Sequence, residues 1–70
     1  MKFGEAVSYY LEQQGMSAGE LARRTGFSKA YISKLRSGQC SDPTFERAIA
    51  IIAALEVGIE EFIAMKDSDK

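Results

Sequence analysis

The sequence predicts an all-α fold, a compact domain of five short helices. Three observations carry the prediction. Apolar residues recur at i, i+3, i+4 and i+7 along successive segments, and no segment alternates as a strand would. Ser17, Ser28 and Asp42 stand where cap residues would open helices. Gly15, Gly26 and Gly38 stand where left-handed residues would close them.

The first helix is predicted over residues 3–14. Phe3, Ala6, Val7, Tyr10 and Leu11 form its apolar stripe. Tyr9 and Tyr10 read as a packed or half-exposed aromatic pair. Gly15 ends the helix, and Met16 then precedes Ser17, where it can form a hydrophobic staple with Leu21.

The stretch from Ser17 to Ser37, SAGELARRTGFSKAYISKLRS, reads as two helices joined by a tight turn. Ser17 and Glu20 have the capping-box spacing, which predicts two reciprocal bonds to backbone N–H groups. The second helix then runs from about Ala18 to Arg24. Gly26 supplies a left-handed turn at low cost, and Ser28 caps a third helix from about Lys29 to Ser37. Leu21, Ala22, Phe27, Ile32 and Leu35 are its expected core residues, and small Ala22 suits a steep crossing of two backbones. The third helix leaves Ala30, Ser33, Lys34 and Ser37 outward, with Lys29 at its flank. That face is small, polar and basic, as in a helix lying in a DNA major groove.

Gln39-Cys40-Ser41 reads as a short loop. Asp42 is expected to cap the fourth helix, with Pro43 in its first turn, where a missing N–H costs nothing. Phe45, Ala48, Ile49, Ile52, Ala53 and Leu55 form a broad stripe for a central core helix. The chain breaks again at Glu56-Val57-Gly58, with Gly58 as either the break or the next N-cap. Ile59, Phe62 and Ile63 then share one face of a short fifth helix. Residues 1–66 make the domain, and Asp67 to Lys70 a polar, frayed tail.

Seventy residues suit one domain, and a chain this short buries only about 60% of its unfolded surface. No apolar stretch approaches the roughly 20 residues of a membrane helix, and the N-terminus lacks the segments of a signal peptide. A lone cysteine cannot form an internal disulfide, which suits a reducing cytoplasm. The chain has no histidine, which removes the commonest general base and metal ligand. Cys40 has no second thiol to complete a zinc site, so it reads as a plain reduced thiol. No glycine loop has the lysine and strand-to-helix setting that cradles phosphate. Adjacent Glu60 and Glu61 diverge by about 100° on a helix and form no acid–base pair; they suit a helix N-terminus. No enzyme, cofactor, metal or small-molecule ligand is expected.

The net charge is −1, yet the charges are unevenly spread. From Leu21 to Ser41 there are five basic residues, Arg23, Arg24, Lys29, Lys34 and Arg36, and no acid; from Asp42 to Lys70 there are seven acids and three bases. A basic docking face with an acidic half behind it is compatible with DNA, though it limits non-specific affinity.

The spacing of Leu21-Ala22, Gly26-Phe27, Ile32 and Leu35 resembles the helix-turn-helix of the phage lambda repressor and Cro family. The resemblance continues through Gly38, Asp42-Pro43, Leu55 and Glu60-Glu61-Phe62, over roughly residues 3 to 65. It implies a lambda-repressor-like DNA-binding domain. Three departures stand out. Ala18 replaces a glutamine that in relatives contacts phosphate or a base. Leu11 and Arg36 occupy the positions of an arginine–glutamate pair, both changed together, which leaves Arg36 to solvent or phosphate. Lys29 and Ala30 replace bidentate glutamines; lysine can read guanine O6 and N7, and alanine a thymine methyl.

The resemblance implies a sequence-specific regulator of transcription in the bacterial cytoplasm, bound to a double-stranded operator. A Cro-like phage repressor, a restriction–modification controller protein and an antitoxin-type autoregulator all fit. A protein-interaction module that has kept the fold and lost DNA binding is the alternative, favoured by the acidic balance and Ala18. By resemblance, Ser28, Lys29, Ala30, Tyr31, Ser33 and Lys34 would face bases. Ser17, Arg23, Ser37, Gly38, Gln39 and Thr44 would face phosphates. Relatives double their reading surface by two-fold symmetry, so a homodimer is expected. Ile59, Phe62, Ile63 and Met65 are its interface residues unless they complete the monomer core.

Overall fold

Five helices follow one another in the computed structural model, which describes residues 1–40 and 42–67. They are α1 (Phe3–Gln14), α2 (Ala18–Thr25), α3 (Lys29–Ser37), α4 (Phe45–Leu55) and α5 (Ile59–Asp67). No strand occurs among the described residues. The expected order and the all-α class are what the structure has. Ser41 and residues 68–70 of the expected tail lie outside the described residues, and α5 takes in Asp67.

The core is one cluster to which every helix contributes. Phe3, Ala6, Val7, Tyr10 and Leu11 come from α1, Leu21 and Ala22 from α2, and Ile32 and Leu35 from α3. Ile51, Ile52 and Leu55 of α4 and Phe62 of α5 close it. Removing such a side chain from water stabilises the fold by about 1.5–3 kcal/mol. Phe62 stacks on Tyr10 at 5.7 Å between ring centroids and tilts against Phe3 at 4.9 Å, which joins the two ends of the chain.

Three helices end on left-handed glycines, as expected. At Gly15 and Gly38 the next residue bonds back five positions, Met16 to the Leu11 carbonyl and Gln39 to the Lys34 carbonyl. That is the Schellman closure. Gly26 makes the simpler closure, its N–H donating to the Ala22 carbonyl at 2.8 Å. Glu56 ends α4 at φ 61°, the one non-glycine residue with positive φ among those described. Gly58 opens α5, its carbonyl accepting the Phe62 N–H at 2.9 Å.

Three expectations need correction. Asp42 does not cap α4. Thr44 does, its Oγ1 accepting the Arg47 N–H at 3.4 Å, and Pro43 precedes the helix. The helix begins only at Phe45, so the extended residue just before it, Thr44, is the one whose side chain reaches the third backbone N–H. The stripe of α4 is also rotated: Ile51 is buried, whereas Ala53 is exposed and Phe45 is 80% exposed. Segment 45–55, FERAIAIIAAL, is apolar on most of its circumference, so periodicity leaves its phase open. The capping box at Ser17 is half made. Ser17 Oγ accepts the Glu20 N–H at 3.1 Å, but the Glu20 carboxylate turns to Arg23 and Arg24. Of the α5 residues expected at a dimer interface or in the monomer core, Phe62 goes to the core and Ile59 and Ile63 do not. Phe62 is 1% exposed, while they are each 47% exposed.

Candidate nucleic-acid interface

The site is built from the α2–turn–α3 unit. Thr25 ends α2 by donating its hydroxyl to the Leu21 carbonyl at 2.9 Å, and the same oxygen accepts the Phe27 N–H at 3.3 Å. Gly26 turns the chain at φ 81°, and Phe27 drops half-buried against the core. Ser28 Oγ then accepts the Tyr31 N–H at 3.0 Å and starts α3. Fully buried Ile32 and Leu35 fix the roll of α3 about its axis.

That roll leaves Lys29, Ala30, Ser33, Lys34 and Ser37 exposed together, with Ser28 before them and Gly38 and Gln39 after. Tyr31 is half-buried at the edge of this face, in edge-on contact with Phe27 at 5.6 Å. Ser17 is exposed at the start of α2, near the lysine stem. A Cβ added to neighbouring Gly19 would lie 3.8 Å from Ser17 Oγ and 4.0 Å from Lys29 Cδ. Thr44 is exposed at the start of α4. Ile59, Ile63 and Met65 sit apart on α5, Met65 half-buried against the core.

The electrostatics are less uniform than charge counting suggests. Arg23 and Arg24 both engage Glu20, which lies one residue before the acid-free stretch. Arg24 also donates to the Ala54 carbonyl at 3.2 Å and approaches Glu56 at 3.7 Å. These two arginines tie α2 to itself and to the end of α4. Lys29, Lys34, Arg36 and Arg47 make no ion pair with a described residue. Arg36 is half-buried, its Nε donating to Ser8 Oγ at 3.2 Å. A neutral hydroxyl of α1 therefore stands beside the arginine, which the sequence alone leaves to solvent or phosphate.

Arg47 escaped sequence reading. It lies 16 positions from Tyr31, yet its guanidinium carbon sits 5.4 Å from the Tyr31 ring centroid and 6.0 Å from that of Phe27. No local pattern signals a contact between α3 and α4. The Ser8–Arg36 bond has the same character. By contrast, the i, i+3 and i, i+4 spacing of Glu20 with Arg23 and Arg24 could have signalled these pairs, although the sequence reading gives Glu20 to the capping box.

Comparison with known proteins agrees with this architecture. The model of the helix-turn-helix family matches residues 7–62. The HTH-type transcriptional regulator SinR of Bacillus licheniformis is 27% identical over 64 residues, 91% of this chain and 58% of that protein. The HTH-type transcriptional regulator SlrR of Bacillus subtilis (strain 168) is 33% identical over 58 residues, 83% of this chain and 38% of that protein. SinR of the same strain is 25% identical over 63 residues, 90% of this chain and 57% of its own length. The chain thus spans less than two thirds of each of these relatives. With the turn geometry, the buried Ile32 and Leu35 and a family match over most of its length, the chain belongs to the helix-turn-helix family of the lambda repressor type.

Proposed function

We propose that the chain is a DNA-binding regulator of transcription, with α3 as its recognition helix. One observation supports this above the rest: the only side of α3 that faces water is small, hydroxylated and cationic, from Lys29 to Ser37. A helix of that face fits a major groove, where lysine reads guanine edges and small side chains let the backbone approach. Ser28, Lys29, Ala30, Ser33 and Lys34 face bases in this reading, with Tyr31 at the edge. Ser17, Ser37, Gly38, Gln39 and Thr44 flank the phosphates. Arg23 is a weaker phosphate contact, because Glu20 already holds it.

The working unit is a homodimer in the bacterial cytoplasm, and its role is binding rather than catalysis. Ile59 and Ile63 of α5 form the partner-facing surface, and Met65, half-buried against the core, adds little to it. Phe45 and Ile49 of α4 line the same shallow apolar groove and extend that surface. Phe62 supports the groove from below and has almost no exposed area to give. A Cro-like repressor or autoregulator is the finer reading.

Mobility-shift titration against the DNA upstream of its own gene tests this. Specific retardation, competed by unlabelled operator and not by scrambled duplex, is expected. Equal and weak retardation of both duplexes would favour a protein-interaction module of the same fold, a reading that gains from the Glu20 contacts of two of the arginines.

A further inference from the structure

Arg47 of α4 is the cation whose position the helix-turn-helix does not explain. It is exposed and has no carboxylate partner among the described residues. Its guanidinium lies over the Tyr31 ring at 5.4 Å, and Phe27 packs edge-on against the same ring at 5.6 Å. A guanidinium held over an aromatic ring still has N–H donors to offer a planar, bidentate acceptor. Phosphate oxygens are such an acceptor. Tyr31 stands in the first turn of α3, three residues after the Ser28 cap, and Arg47 is bonded through its own N–H to the Thr44 cap of α4. The stack therefore joins the N-terminal ends of the two helices beside the exposed face of α3.

We propose that Arg47 and Tyr31 act as one unit in DNA binding: the ring holds the guanidinium in place, and the guanidinium clamps a backbone phosphate next to the groove that α3 enters. The unit rests on the DNA-binding reading above. It adds a contact carried by α4, and it gives Tyr31 a positioning role as well as a place at the reading face. The arrangement is formed before DNA arrives, so little side-chain freedom remains to be lost on binding.

The test uses the full chain, a duplex enriched from a randomised pool by the wild-type protein, and a scrambled duplex of equal length. Arg47→Ala should weaken binding to both duplexes by about tenfold and reduce the salt slope by about one. Arg47→Lys should restore the slope but not the full affinity, because an ammonium lacks the planar fork. In a Tyr31→Ala background, Arg47→Ala should cost much less than tenfold. Melting curves of each variant confirm an intact fold; exposed Arg47 should not alter them. Unchanged affinity and slope for Arg47→Ala would overturn the inference, as would a full tenfold loss in the Tyr31→Ala background. If Lys29→Ala lost sequence preference while Arg47→Ala bound normally, only this inference would fall. If the wild-type protein enriched no duplex, the DNA-binding reading would fall with it.

Discussion

Gly4 of α1 lies directly against the Leu35 carbonyl of α3. A Cβ built on Gly4 would sit 2.8 Å from the Leu35 carbonyl carbon and closer still to its oxygen. Both groups are backbone, so neither can swing aside. Helix α3 is therefore seated on α1 through a residue that has no side chain. Gly4→Ala should destabilise the protein by about 3 kcal/mol through overpacking. Gly19→Ala is the internal control, since nothing lies within 3.8 Å of its added carbon. In a helix it should gain about 0.5–1 kcal/mol. Urea melts of the two variants should move in opposite directions; similar midpoints would refute the close approach of α1 to α3.

Leu11 is 1% exposed, in the position where the lambda repressor resemblance implies an arginine. Leu11→Arg should cost about 3 kcal/mol, because it buries a charge with no partner. Arg36 is already beside α1 through Ser8, so the double variant Leu11→Arg, Arg36→Glu should recover part of that loss. Thermal melting of the two variants measures the coupling. Additive losses would show that residues 11 and 36 do not share a site.

Glu56 closes α4 with left-handed backbone at φ 61°, a conformation that costs a non-glycine residue about 1 kcal/mol. Its contact with Arg24 at 3.7 Å is solvent-exposed and offsets little of this. Glu56→Gly should raise stability by about 0.5–1 kcal/mol, read as a higher melting temperature. A lower melting temperature would mean that the Arg24 contact outweighs the backbone strain.

How far the fold could be read in advance follows from these residues. The first three helices were legible because each carries a clear stripe and a cap or a glycine stop within a few positions. Leu21, Ile32 and Leu35 are all buried where spacing put them. Helix α4 was legible as a helix but not in its roll, because Ile49, Ile51 and Ile52 crowd its circumference. Its start was also misplaced, because Asp42 and Thr44 both bear cap side chains and only Thr44 meets a free N–H. The outward face of α3 follows directly from its two buried residues. The seat on Gly4, the Ser8–Arg36 bond and the Arg47–Tyr31 stack all join segments far apart in sequence, where no periodicity speaks.

The apolar groove between α4 and α5 leads to a prediction about assembly. Phe45, Ile59 and Ile63 are all exposed there, and a second copy would cover them by two-fold symmetry. Sedimentation at tens of micromolar should give a dimer, and Ile59→Asp with Ile63→Asp should give a folded monomer. Because these side chains are exposed, the double variant should keep its helical signal. A strictly monomeric wild type, free and on DNA, would remove the dimer.

The central claim is that the exposed face of α3 reads DNA, and Lys29 tests it most directly. It lies in the first turn of α3, exposed and without an ion-pair partner among the described residues. Binding isotherms are measured on an enriched operator and a scrambled duplex at several salt concentrations, for wild type, Lys29→Ala and Lys34→Ala. Lys29→Ala should lose about 1–3 kcal/mol on the operator and relax the preference at one base pair. Lys34→Ala should weaken binding through either a base or a phosphate, and the salt slope distinguishes them. Wild-type binding by both alanine variants on both duplexes would contradict the assignment of α3 as the recognition helix.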